Sequence, residues 1–356
     1  MDVTSVVLTK FLVSRITNQL RCWCSYALSL FGVVRVRHLP TFISVEPANF
    51  CQLRCPECPV GMWNKEQGTK NQDISLSTPP TKTERLMRME VFERVLEQVQ
   101  KTAHTIQFYF QGEPLLNKHL PEMITRAHQA GLYTIVSTNA QIIHKTMADT
   151  LVKSGLNRII VSIDGFSEES YAAYRIGGSL HKALEGLLFL REAKNRLHSS
   201  IRIELQVLRL RTNEHEWKWI RRHYKSLGAT HLVFKTAQFY DYEHGNPLMP
   251  SNERYSRYRK TADGTYVHKS SPLHSTPYTI HRAFGALCLR LWSGCVITTT
   301  GDILPCCYDK EHQHPLGNIV DQSLANIFHS KKANALRRCI LKRDSHTPAM
   351  CNNCAH

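Results

Sequence analysis

Acidic residues are scarce in this chain: 29 Asp and Glu stand against 45 Lys and Arg in 356 residues, a formal net charge of +16. Such a surplus suits an anionic partner, whether an acidic or phosphorylated substrate, a membrane surface or nucleic acid, and a diffuse basic surface accounts for it equally well. No uninterrupted hydrophobic run reaches the roughly 18 residues of a membrane-spanning helix. Val6 to Leu12 and Trp23 to Val34 come nearest, and Lys10, Arg15 and Arg21 interrupt them. No small-residue cleavage pattern follows, so a secretory signal is not expected. Repeats and low-complexity tracts are missing too, as is the aromatic–basic stripe that stacks nucleic-acid bases, which sets nucleic acid aside as a partner. A secreted disulfide scaffold is excluded by the cysteines themselves: the chain is long, and its 12 cysteines gather towards its two ends. What remains is an ordinary globular composition, 42% hydrophobic with a mean hydropathy of −0.31, expected in the reducing cytoplasm.

What is present begins with residues 1–40, an apolar and basic segment. Up to position 38 it holds Lys10, Arg15, Arg21, Arg35 and Arg37 against Asp2. It reads as one or two helices, either packed on the main domain or lying peripherally on an anionic membrane, towards which each basic residue contributes about 1 kcal/mol.

The centre of the chain is Cys51-Gln-Leu-Arg-Cys55-Pro-Glu-Cys58, placed after the short apolar run Phe42 to Glu46. Three thiols within eight residues cannot all pair with one another. They can face one inorganic centre, either a 4Fe–4S cluster with one iron left open or a zinc site whose fourth ligand is remote.

Beyond it the periodicity alternates. Gly61 to Thr83 is polar, carries Pro79 and Pro80, and is expected to be a loop beside the cysteines. Glu84 to Lys101 has apolar residues at helical spacing (Phe92, Val95, Leu96, Val99), and Thr105 to Phe110 reads as a strand. Helices around Leu120–Ala127, Ile143–Leu151, Leu180–Leu188 and Glu214–Leu227 then alternate with strands at Tyr133–Ser137, Arg158–Ile163, Ile201–Leu208 and His231–Thr236. Six strands separated by amphipathic helices predict an α/β fold of parallel βα units, closed or partly closed into a barrel, with chemistry collected at the strand C-termini. Residues 237–287 are irregular and polar and read as a linker. Residues 288–356 form a small cysteine-rich C-terminal domain.

These residues resemble the radical S-adenosylmethionine (radical SAM) superfamily, whose C-x3-C-x2-C motif follows the first strand of a partial (β/α)6 barrel, and the resemblance implies that fold over residues 41–236. The resemblance implies that Cys51, Cys55 and Cys58 hold the SAM-binding 4Fe–4S cluster. It likens Gln111-Gly112-Glu113-Pro114 to the family's Gly-Gly-Glu-Pro segment, which holds the methionine amine. Ser137-Thr138-Asn139 resembles the turn after the third strand, and Ser162, Asp164 and Arg175 match a pattern that meets the cofactor carboxylate or ribose. Two positions depart from the family: Gln111 replaces a glycine, and Glu57 stands where an aromatic is common. The tail resembles the SPASM domain. That implies one auxiliary 4Fe–4S cluster on Cys288, Cys306, Cys351 and Cys354, with Cys307 as the alternative to Cys306, and leaves Cys295 and Cys339 as buried thiols or spare ligands.

The implied activity is reductive cleavage of SAM at the cluster, then hydrogen abstraction from a substrate C–H bond, with electrons drawn from a donor such as flavodoxin or ferredoxin. The auxiliary cluster would assist oxidation or modification of a peptide, protein or carbohydrate-type substrate. Lys235, Gln238, Tyr240, Asp241, Tyr242 and His244 lie past the sixth strand as candidate substrate contacts. The competing reading is a zinc-stapled basic binding protein without catalytic activity.

Overall fold

The computed structural model describes residues 3–67, 84–269, 288–342, 348–351 and 354. Six parallel strands form its centre: β1 (Phe42–Val45), β2 (Thr105–Phe108), β3 (Tyr133–Thr138), β4 (Arg158–Ser162), β5 (Arg202–Arg209) and β6 (His231–Thr236). Each pairs in parallel with the next, from Phe42 opposite Thr105 to Arg209 opposite Thr236. This is the parallel α/β arrangement that the alternation predicts, partly closed as the family resemblance implies.

Side-chain alternation along each strand sorts the two faces. In β5, Ile203, Leu205 and Val207 are buried in the main core beneath the helices. Arg202, Glu204 and Gln206 alternate with them and face the barrel interior. The covering helices include α3 (Met89–Val99), α4 (Leu120–Gln129), α5 (Lys145–Lys153), α7 (Leu180–Arg196) and α8 (Trp217–His223), with a short α6 (Glu168–Ala172) before α7. The apolar stripe expected on α4 (Leu120, Met123, Ile124 and Ala127) is fully buried.

Four local expectations change. Part of the expected loop at Gly61–Thr83 is helix α2 (Pro59–Gln67), and residues 68–83 lie outside the described residues. Pro59 suits a first helical position, where its missing N–H leaves no bond unmade. The helix expected from Glu84 begins only at Met89, and that expected from Glu214 opens as a 3-10 turn (Arg211–Glu216). Within residues 237–269 a small antiparallel hairpin forms, β7 (Tyr258–Lys260) with β8 (Tyr266–His268).

At the N-terminus a single helix, α1 (Val3–Leu30), packs on the domain. No helix among the described residues is long and apolar enough to cross a membrane. In the tail, α9 (Arg290–Ser293) leads into β9 (Gly294–Ile297), β10 (Asp302–Leu304) and β11 (Gly317–Asn318), followed by α10 (Leu324–Phe328) and α11 (Lys331–Lys342). The sheet runs unbroken through both parts, because β9 lies parallel to β1 with Gly294 opposite Phe42.

Candidate active site at the strand C-termini

The loop after β1 carries Cys51, Cys55 and Cys58, all free thiols. Its backbone is fixed from several sides. Asn64 on α2 donates to the carbonyls of Cys51 (2.9 Å) and Leu53 (3.1 Å), and the Arg54 N–H donates to the Ile176 carbonyl. Gly61 lets α2 approach this closely, since a Cβ there would sit 2.2 Å from the Cys55 carbonyl oxygen.

Donors are aimed at two of the sulfurs. Asn139 Nδ2 lies 3.4 Å from Cys51 Sγ, and Arg175 Nη1 lies 3.9 Å from Cys55 Sγ. The Leu53 N–H adds a third contact to Cys51 Sγ at 3.4 Å. Without a bound cation, burial pushes the Cys55 thiol up to about 11, against the pull of Arg175. Such a site suits thiolates only when a positive centre binds them. Among the described residues, no three Cys, His, Asp or Glu side chains converge tightly enough for a single metal ion.

Glu113 reaches the same place from the end of β2. Its Oε1 accepts from Thr138 Oγ1 (2.7 Å) and Leu115 N–H (3.2 Å), and its Oε2 accepts from Asn139 N–H (2.8 Å). Burial pushes this carboxyl up to about 7 despite those donors and the nearby Arg175. Gly112 makes the approach possible. Its φ of +46° is one an L side chain rarely adopts, and a Cβ there would lie 2.2 Å from the Ala48 carbonyl oxygen. Pro114 then opens a short 3-10 turn.

Asp164, after β4, is buried and receives Arg175 through Nε (2.7 Å) and Nη2 (2.6 Å), while its other oxygen accepts from Leu208 N–H (2.6 Å). Burial works against the Arg175 charge, yet Asp164 and Cys55 outweigh it and hold the guanidinium well above its usual range. The cysteine loop, Glu113, Asn139, Asp164 and Arg175 therefore form one connected polar group. Ser162 closes β4 and Ser137 sits near the end of β3 on its interior face.

Gln111 does something else. Its Nε2 donates to the Lys310 carbonyl in the tail at 2.5 Å. Glu57 likewise bridges loops, accepting from Tyr240 N–H and Asn246 Nδ2 at 2.9 Å each. Neither role is visible in sequence, because both partners lie far along the chain.

The barrel interior holds a cationic cluster that the sequence reading missed. Glu204 is buried between Arg158, whose Nη2 meets both carboxylate oxygens at 2.5 and 2.6 Å, and Arg202 at 3.0 Å. Lys235 is pushed down by burial and by the guanidinium groups of Arg158, Arg257 and Arg290, with Glu204 acting in the opposite sense. Of the other candidate substrate contacts, Tyr240 carries Lys310 over its ring at 4.7 Å, and Tyr242 stacks on Tyr258 at 4.5 Å. Gln238 is half-buried, whereas Asp241 and His244 are exposed.

In the tail, Cys288 and Cys351 pack in one small cluster with Trp292. Burial raises Cys351 to about 12, with Cys288, Cys354 and Cys339 close enough to add to the shift. Cys306 hydrogen-bonds Cys307, whose thiol is drawn below its usual range by that bond and by Arg290, whose Nη1 lies 3.2 Å from Cys307 Sγ. Cys295 sits in the main core as a buried thiol, whereas Cys339 is only half-buried.

Such a partial barrel, with a three-cysteine loop after its first strand and a cysteine-bearing tail, defines an iron–sulfur enzyme class. The chain matches the family model of the radical SAM superfamily over residues 45–203 and that of the SPASM iron–sulfur cluster-binding domain over residues 288–355. It belongs to the radical SAM superfamily and carries a SPASM domain.

Among curated relatives, a PqqA peptide cyclase of Granulibacter bethesdensis is 26% identical over 221 residues, covering 60% of this chain and 52% of that protein. An Fe-coproporphyrin III synthase of Methanosarcina barkeri is 26% identical over 143 residues, covering 40% and 36%. The chain thus spans about half the length of these relatives or less. Of solved structures, SuiB of Streptococcus suis bound to S-adenosylmethionine superposes with a TM-score of 0.57 at 13% identity, covering 84% of this chain and 68% of that one. AnSMEcpe with bound AdoMet does so with a TM-score of 0.55 at 16% identity, covering 89% and 86%. At these identities the likeness speaks to the fold.

Proposed function

We propose that this chain is a radical SAM oxidoreductase that modifies a peptide or protein substrate bearing an anionic group. The observation that carries the reading is the pair of side-chain donors at the loop sulfurs, Asn139 to Cys51 and Arg175 to Cys55. Thiolates ligating iron gain from such donors, whereas a buried neutral thiol needs neither. On this reading Cys51, Cys55 and Cys58 hold a 4Fe–4S cluster with one iron free for SAM. When bound, cluster and cofactor supply reductive cleavage of the sulfonium and hydrogen-atom abstraction from a substrate C–H bond.

The protein's own part is positioning. Glu113 accepts from the methionine amine, held in place by Thr138 and Asn139. Gly112 and Pro114 set the turn that presents it. Asp164 orients Arg175, which keeps a positive charge beside Cys55, and Ser162 and Ser137 complete the polar rim. Cys288, Cys351 and Cys354 hold one auxiliary cluster together with Cys307 or Cys306; the Arg290 contact favours Cys307. Four cysteine ligands leave no open iron there, which suits electron transfer or bracing over substrate ligation. The one-electron donor is a flavodoxin or ferredoxin.

For the substrate, the relatives include peptide cyclases, and SuiB has also been solved bound to its precursor peptide SuiA. The interior surplus of Arg158, Arg202, Lys235 and Arg257 over Glu204 supports an anionic group. A carbohydrate-type substrate would need that group as well.

Anaerobic reconstitution followed by assay of 5′-deoxyadenosine tests the proposal. Wild-type protein should bind about eight irons, at four per cluster, and release the nucleoside on reduction. Cys55→Ala should lose that release while retaining the tail's iron. Undiminished release from Cys55→Ala, or a colourless zinc-loaded wild type, would overturn it.

A further inference from the structure

Helix α1 packs with its faces reversed. The side against the domain is Arg15, Asn18, Cys22, Ser25 and Ser29, all buried and spaced at i, i+3, i+7, i+10 and i+14. The opposite side presents Val13, Ile16, Leu20 and Trp23, exposed by 65, 48, 52 and 57%. Phe31 follows at 83%. Of the 15 exposed large hydrophobic residues among those described, eight fall between Leu12 and Val33.

The buried polar face is satisfied in detail. Arg15 donates to the carbonyls of Gln100, Ala130 and Gly131, just past the C-termini of α3 and α4, where helix dipoles favour a cation. Asn18 bonds both backbone groups of Leu39, donating to its carbonyl and accepting from its N–H, and also donates to the Thr102 carbonyl. These bonds lock the rotation of α1, so its apolar stripe cannot turn inwards.

We propose that this stripe docks on an anionic lipid bilayer and tethers the protein with its active-site mouth turned away from the membrane. Residues 3–45 contain no Asp or Glu, and Arg21, Arg35 and Arg37 stand exposed around the stripe. An apolar face whose own segment carries only cations matches a negatively charged surface, and a tryptophan in the stripe favours the interfacial zone. A second copy of this chain would instead bring like charges together. α1 is too polar to span a bilayer, so it lies along the surface.

Position fixes the orientation. Asn18 meets Leu39 and Thr102, and the Arg15 carbonyl meets His104, all at the ends where β1 and β2 begin. The cysteine loop and Glu113 lie at the opposite ends. The bilayer is therefore an anchor and not the route by which substrate arrives, a conclusion independent of the proposed chemistry.

The test is flotation of the full-length chain with phosphatidylcholine vesicles, with and without phosphatidylserine. The chain should float with the phosphatidylserine vesicles, and a roughly tenfold rise in salt should weaken that binding. Leu20→Asp with Trp23→Asp should lower partitioning by about tenfold or more, and Arg21→Gln by roughly fivefold. All three residues are exposed, so urea midpoints should stay at the wild-type value. Brominated lipid should quench wild-type fluorescence more than that of Trp23→Phe. No flotation at any phosphatidylserine content, flotation unchanged in the Leu20 and Trp23 double variant, or a solution dimer that Leu20→Asp dissociates would each overturn the proposal.

Discussion

Glu113 sits where burial opposes its charge, and that gives it a signature separable from catalysis. Its pKa rises from 4.5 to about 7 on folding, chiefly through burial. Between those values the unfolded chain has already released the proton that the folded chain still holds. The folded state binds more protons there, so stability falls as pH rises through this window. The full loss, reached above pH 7, is roughly 3 kcal/mol. Buried His38, pushed down to about 4, acts in the opposite sense over the same range, so the contribution of Glu113 shows as a difference: in cluster-free protein, Glu113→Gln, which keeps an acceptor for Thr138, should gain urea stability relative to wild type as pH rises from 4.5 to 8. Parallel slopes in the two proteins would show that this carboxyl is not the group responsible. A bound ammonium would favour the charged form and offset the penalty, which is why a carboxyl kept here suits an amine-binding role.

At the scale of elements, the site depends on how closely two loops meet. Gly112 brings the end of β2 against Ala48 and Phe50, and an added Cβ would meet backbone at 2.2 and 2.8 Å that has no room to move. Gly112→Ala should cost on the order of 3 kcal/mol, combining the clash with a disfavoured φ. Urea titration of the cluster-free variant measures this, and an iron assay should show poorer retention of the first cluster. Wild-type stability would mean that the two loops can separate freely. The sequence makes this neighbourhood legible because its marked residues sit at strand ends, and the alternation of strand and helix orders those ends. What it hides is anything fixed by a distant partner. Gln111 looks like a lost glycine until its bond to Lys310 is seen, and Glu57 like a lost aromatic until Tyr240 and Asn246 are in place. Helix α2 hides behind Pro59 and Gly61, residues that suggest a loop but serve a helix start and a contact with Cys55. The reversed polarity of α1 is hidden for the same reason, since the carbonyls that receive Arg15 belong to two other helices.

Across the whole molecule, barrel and tail share one sheet and one core, although their motifs read as separate units. The strands that join them, β9, β10 and β11, have only four, three and two residues, too few for periodicity to reveal. Yet Cys295, Ile297, Ile303, Ile319, Leu324 and Ile327 from the tail all lie in the main core. At about 1.5 to 3 kcal/mol for each large buried side chain, their removal would forfeit on the order of 10 kcal/mol. That is comparable to the whole stability of a typical folded protein, about 5 to 15 kcal/mol. Deletion would also strip β1 of a neighbour and leave its edge open to pairing with other chains. The N-terminal helix is tied into the same junction, since the Trp292 carbonyl accepts from Cys22 and lies 2.7 Å from His38 Nε2. The full chain should accordingly lose its helical signal and its tryptophan fluorescence in one coincident urea transition, and a fragment ending at residue 287 should aggregate or unfold without cooperativity. Two separated transitions, or a stable monomeric fragment, would mean that the shared sheet adds little and that the barrel stands without its tail.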